Sequence, residues 1–183
     1  RSGTSTMQIG STNTSTINIG VSGDTINIPS GVTIANAGTA TGFGGNNTPL
    51  FYAYANDGNA AFNNATDTVV VLNAESFDPQ NTFNTSTYRF TPAVAGKYWL
   101  YGQVRMNTTQ SATILQGVIR KNGTALAYGR ANVQQQAAAQ VAGLFEADAD
   151  DYFDFMAYQN TGYNHNFLTG SYSTYFTGYK IIE

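Results

Sequence analysis

The fold turns on Tyr88-Arg89-Phe90-Thr91-Pro92-Ala93-Val94-Ala95-Gly96-Lys97-Tyr98-Trp99-Leu100-Tyr101-Gly102-Gln103-Val104-Arg105-Met106. From Lys97 onward the side chains alternate with period two, the signature of a strand. Tyr98, Leu100, Val104 and Met106 fall on one face, Trp99 and Tyr101 on the other. A strand with one wet face should alternate apolar with polar residues. Here both faces are apolar or aromatic, so the second face is expected to be covered as well. Another subunit is the expected cover, because aromatic residues are enriched at the cores of subunit interfaces. The last strand repeats the pattern, with Tyr172 and Phe176 opposed to Tyr175, Tyr179 and Ile181.

Working outward, further strands are expected over Phe51–Tyr54, Thr68–Leu72, Thr87–Phe90, Ala112–Lys121, Gln140–Phe145, Tyr152–Gln159 and Ser171–Ile182. Asn56-Asp57-Gly58-Asn59 and Lys121-Asn122-Gly123-Thr124 supply the Asp-Gly and Asn-Gly pairs that tolerate positive φ in hairpins. Only the Gln134–Gln140 region reads as helical, and it is flanked by strand pattern. Many short strands with evenly spaced turns indicate an all-β sandwich or barrel.

Composition sets the boundaries. Of 183 residues, 42% are hydrophobic and 13% aromatic, enough for a core, while only 10% are charged. The polar surface is uncharged instead, with 24 Thr and 19 Asn against 3 Lys. A net charge of −3 argues against nucleic-acid binding, which relies on a basic patch. No apolar run approaches the ~20 residues of a membrane span, so membrane insertion is not expected. There is no cysteine, which excludes disulfides and thiolate metal sites. The chain begins Arg1-Ser2-Gly3 and is read as a fragment of a longer polypeptide.

A composition break near residue 45 divides the chain into a repetitive segment, 1–45, and a head, 46–183. The first segment is Thr, Asn, Ser, Gly and short aliphatics, and Thr16-Ile17-Asn18-Ile19-Gly20 is echoed in Thr25-Ile26-Asn27-Ile28-Pro29 and Val32-Thr33-Ile34. Each unit has its aliphatics on one face and ends in turn chemistry. One such chain has too narrow an apolar face to close a core. Three chains around a common axis could do so, with Ile17, Ile19, Ile26, Ile28 and Ile34 at the centre. The opposing reading is a Thr/Asn/Gly linker, which the regular alternation disfavours.

Residues 88–99 also resemble the signature of complement C1q-type globular heads: an aromatic, Thr, a nearby Pro, then Ala-Gly and a Tyr-rich strand. Phe77-Asp78 and Phe83 sit where that family has its aromatic approach to the motif. Lys121-Asn122-Gly123 is similar to its Lys-Asn-Gly hairpin, and Tyr175-Phe176-Thr177-Gly178-Tyr179 to its closing strand. The likeness runs from Pro49 to Glu183 and departs at Glu146–Asp151, where the family has a Gly-Asp turn. It implies a ten-stranded jelly roll of the tumour-necrosis-factor superfamily, assembled as a homotrimer with the stalk on its axis. Collagen repeats, which precede the vertebrate heads, are missing here. Repeats such as Ser22-Gly23-Asp24-Thr25-Ile26-Asn27-Ile28-Pro29 look instead like bacteriophage tail fibres, marine ones above all.

Catalytic chemistry has little material. The one histidine, His165, excludes a His-rich metal site within one chain, and no Gly-x-Ser-x-Gly elbow is present. Three copies of His165 could meet a metal at a trimer axis, but a solvated loop position is the simpler reading. Glu146, Asp148, Asp150, Asp151 and Asp154 are dense enough for Ca²⁺ at Asp148, Asp150 and Asp151. The pattern is no EF-hand loop, and the plainer reading is an acidic turn. Other than this Ca²⁺, no cofactor is expected. Tyr163, Asn164, His165, Asn166 and Phe167 combine aromatics with amides, the palette of recognition loops.

These features lead to a non-enzymatic reading: the receptor-binding tip of a tail fibre, a virion component acting outside the cell. It would be a homotrimeric adhesin attaching to a host cell-surface glycan or protein. The alternative is a structural trimerisation head of a bacterial C1q-like surface protein. A polysaccharide depolymerase is disfavoured, since such enzymes need larger β-solenoids and paired catalytic acids.

Overall fold

The computed structural model describes residues 19, 21–33, 47–107, 112–133 and 138–181. The chain divides into two units, Arg1–Thr41 and Gly42–Glu183.

In the first unit, the described residues form two tight turns joined by chain without regular secondary structure. The Asp24 N–H donates to Val21 O at 3.0 Å, and the Val21 N–H donates back to the Asp24 carboxylate at 2.9 Å. The second turn closes through the Val32 N–H on Pro29 O at 3.3 Å. Gly23 and Gly31 sit at φ +97° and +85°, the left-handed conformation that glycine adopts at least cost. No strand ladder forms among these described residues. Ile19, Ile26 and Ile28 are 65%, 60% and 43% exposed in the single chain. Ile17 and Ile34 lie outside the described residues.

The second unit is all-β. Its strands are β1 (Leu50–Tyr54), β2 (Ala61–Phe62), β3 (Thr68–Val69), β4 (Ala74–Phe77), β5 (Phe83–Asn84), β6 (Arg89–Phe90) and β7 (Gly96–Asn107). They continue as β8 (Ala112–Lys121), β9 (Thr124–Val133), β10 (Ala138–Ala147), β11 (Phe153–Gln159), β12 (His165–Phe167) and β13 (Tyr175–Lys180). One antiparallel sheet centres on β7, flanked by β10 and by β13, beyond which come β1 and β4. The far end of β7 carries β12 and β2. The other sheet runs β5–β6–β11–β8–β9, with β3 also on β11. A jelly roll of ten strands was the expectation. Thirteen segments are described, because β2, β3, β5 and β6 are two-residue ladders and β12 has three residues.

The core lies between the sheets, where Tyr98, Leu100, Val104 and Met106 point inward as the alternation requires. Phe51 stacks on Phe90 with centroids 4.3 Å apart, and Phe155 on Phe176 at 5.8 Å. Each fully buried ring of this kind contributes roughly 1.5–3 kcal/mol. The residues expected to lead the final strand behave differently: Tyr172 lies in a turn and is 79% exposed, because pairing with β7 begins only at Tyr175.

Candidate functional site

The outer face of the β7 sheet carries a row of rings. Tyr52 stacks on Tyr175 at 5.0 Å, Tyr175 on Tyr101 at 5.6 Å, and Tyr101 on Trp99 at 6.0 Å. Trp99 also meets Tyr179 at 5.5 Å, and Tyr52 meets Phe77 at 5.9 Å. The strand register produces this row, since Tyr52 pairs Thr177, Tyr175 pairs Gln103 and Tyr179 pairs Trp99 across the ladders. Leu144, paired with Trp99 from β10, extends the apolar surface and is 67% exposed. Packing has consequences for the phenols. Burial first, then the neighbouring Tyr175, pushes the Tyr52 hydroxyl up to about 12, and Tyr101 is raised by burial and by its hydrogen bond to Tyr175.

At one end of this row Gln103 is buried, its amide Nε2 donating to Ser173 O at 2.9 Å and Tyr172 O at 3.1 Å. Its Oε1 accepts from Gln140 Nε2 at 2.7 Å. A polar group inside an otherwise aromatic face is tolerable because its bonds are made.

The expected recognition loop follows β11 and is organised by Gln159, which is fully buried. Its Nε2 donates to Tyr163 O at 2.9 Å and Phe62 O at 3.2 Å, while its Oε1 accepts the Thr161 N–H at 2.8 Å. Gly162, at φ +88°, donates its N–H to Asn64 Oδ1 at 2.7 Å. The Asn64 N–H in turn donates to Asn164 Oδ1 at 2.9 Å, and Asn166 Nδ2 donates to Gly58 O at 2.9 Å. His165 Nε2 lies 2.8 Å from Thr161 Oγ1, and partial burial lowers its pKa.

The five loop candidates therefore separate. Tyr163 is 63% exposed and Asn164 is exposed, while His165 and Asn166 are half-buried. Together with Ala61 and Asn63, the last three line a concavity of about 420 Å³. Phe167 is a correction: its ring is 1% exposed and stacks on Phe62 at 4.7 Å, so it anchors the loop and presents nothing to a ligand. Sequence reasoning overlooked Gln159, whose only signal was an amide directly after the apolar run Phe155–Tyr158.

The acidic segment is a turn. The Asp151 carboxylate accepts the Asp148 N–H at 2.8 Å, Lys121 Nζ at 2.9 Å and an Asn122 amide proton. These three, in that order, hold its pKa down to about 2. Asp154 is a buried partner of Arg120, with Nε at 2.7 Å and the second guanidinium nitrogen at 2.8 Å. Among the described residues no three carboxylate or imidazole groups converge on one point. Asp148, Asp150 and Asp151 thus form no ligand cage for the expected Ca²⁺, because Asp151 is turned onto Lys121 while the other two stay exposed.

No family model and no curated protein matches this chain. Solved structures do match its fold. Murine APRIL superposes with a TM-score of 0.57 at 12% identity, covering 72% of this chain and 98% of that one. The Eiger TNF of S. frugiperda gives 0.55 at 12%, covering 73% and 93%. The globular domain of zebrafish complement 1qA gives 0.52 at 15%, covering 73% and 98%. With two antiparallel sheets, no helix among the described residues and this shared superposition, the head is a jelly roll of the C1q and tumour-necrosis-factor kind.

Proposed function

We propose that the head is a homotrimerising, non-enzymatic adhesin, the receptor-binding tip of a bacteriophage tail fibre that attaches to a host cell-surface glycan or protein. The observation that carries the first half is the row Tyr52–Tyr175–Tyr101–Trp99–Tyr179 on a sheet face that water would otherwise cover. Exposed apolar patches of this kind mark interaction sites. The likeness to jelly rolls of the C1q and tumour-necrosis-factor kind supports three copies joined through this face. A binding role is favoured over catalysis because the two buried acids of this segment are engaged structurally, Asp151 by Lys121 and Asp154 by Arg120. The stalk repeats favour a fibre, with Ile19, Ile26 and Ile28 facing two partner chains. Attachment is assigned to the loop between β11 and β12, the distal loop, which sits at the Asn107 end of β7 opposite Leu50, through Tyr163, Asn164 and the adjoining concavity.

Light scattering on the purified chain tests the assembly and should give about three times 19.6 kDa. A stable monomer would overturn it. Genes for tail and baseplate proteins beside the parent gene would separate a viral fibre from a bacterial surface head.

A further inference from the structure

A second concavity, of about 580 Å³, lies between the end of β4 and the segment from Gln80 to Ala93. Glu75, Asn81, Asn84, Thr85, Ser86 and Thr91 are on its walls. Its size is within the ~300–1,000 Å³ of small-molecule sites, but its lining is hydroxyl and amide where such sites are mostly apolar.

The walls are fixed by hydrogen bonds within the segment. Asp78 accepts the Phe83 N–H at 2.7 Å and Thr82 Oγ1 at 3.0 Å. Asn84 Oδ1 accepts the N–H groups of Ser86 at 2.9 Å and Thr87 at 3.0 Å. The Thr91 N–H reaches Thr82 O at 2.8 Å, closing the segment on itself. The backbone is also strained here. Of five described non-glycine residues at positive φ, three belong to this segment: Asn81 at 53°, Tyr88 at 60° and Ala93 at 58°. Side chains with a Cβ disfavour that conformation, and such strain collects at binding sites.

The charges narrow the ligand. Among the described residues no Lys, Arg or His is on the walls, and Glu75 stands near Asp78, whose repulsion adds to burial in raising the Glu75 pKa. A sulfated, phosphorylated or sialylated ligand would find no cation on these walls and would meet the Glu75 carboxylate, with Asp78 behind it. A polyhydroxylated neutral ligand finds donors and acceptors on every wall. We infer that this concavity binds a neutral carbohydrate. The inference stands apart from the distal loop and from the trimer.

The test is a ¹H–¹⁵N titration of the full chain with defined glucan, galactan and mannan oligosaccharides, and with sulfated counterparts of each. At least one neutral sugar should shift the amides of Thr85, Ser86 and Thr91, and its sulfated form should not. Thr91→Ala and Ser86→Ala, both with unchanged thermal transitions, should each weaken binding about tenfold, the loss expected for one good polar contact. Glu75→Lys should admit the sulfated sugar. The inference is overturned if no neutral sugar shifts these amides, or if sulfated sugars bind the wild type equally. Shifts confined to residues 163–166 would also overturn it while supporting the distal loop, and the mass from light scattering moves with neither result.

Discussion

The ring of Phe155 fills the space that a side chain at Gly102 would need. A methyl group placed there would lie 2.6 Å from Phe155 Cε2, and one at Gly117 would lie 2.9 Å from Cζ. The two sheets are thus joined by a large residue on β11 received by two glycines, on β7 and β8. Replacing Gly102 with Val should destabilise the head by about 1–3 kcal/mol, the usual cost of overpacking. Chemical denaturation measures it, and an unchanged midpoint would show that the ring moves aside freely.

Tyr101 sits within the aromatic row between Trp99 and Tyr175. A carboxylate there would be desolvated in the proposed interface without a partner, which is costly. Tyr101→Glu should therefore give a folded monomer, read as a threefold drop in mass by light scattering with circular dichroism preserved. A trimer that survives the substitution would place the interface elsewhere.

In the stalk, Ile26→Asp with Ile28→Asp should expose residues 1–45 to protease while the head stays folded. Limited proteolysis followed by mass spectrometry reads the outcome. Resistance equal to wild type would mean that these side chains face water in the assembled protein.

Acid should weaken the Lys121–Asp151 turn. The Asp151 pKa is depressed to about 2 from 3.8, so its contribution is present above the unfolded value and is lost as pH falls from near 4 towards 2. Asp151→Asn should lower the melting temperature at pH 7 and flatten its fall between pH 4 and 2. Parallel curves for the two proteins would remove this carboxylate from the acid response.

For attachment, Tyr163→Ala with His165→Ala should leave the trimer intact and reduce adsorption to host cells by about tenfold or more, since losses at a repeated site compound. Adsorption at the wild-type level by the folded double variant would clear the distal loop of this role.

The strands that were legible carry large residues in alternation, as β7 and β11 do. By contrast, β9 was invisible, because its inward positions are Ala125, Ala127, Gly129 and Ala131, which produce no hydrophobic period. For Gly129 the cause lies outside the strand: a methyl group there would lie 1.7 Å from the Gln140 carbonyl of β10. The short ladders β2 and β12 were also missed, since pairing of residues about a hundred positions apart holds them. At the distal loop, the exposed Tyr163 and Asn164 could be read from composition. The inward turn of Phe167 could not, because it depends on Phe62.

Gln159 determines how the distal loop would meet any ligand. With Thr161, Tyr163 and Phe62 already tied to one buried amide, the loop has little conformational entropy left to lose on association. Ordering a mobile segment typically consumes much of the energy of a contact. A loop frozen before encounter keeps that energy as affinity, so even a few polar contacts from Asn164 and its neighbours can hold.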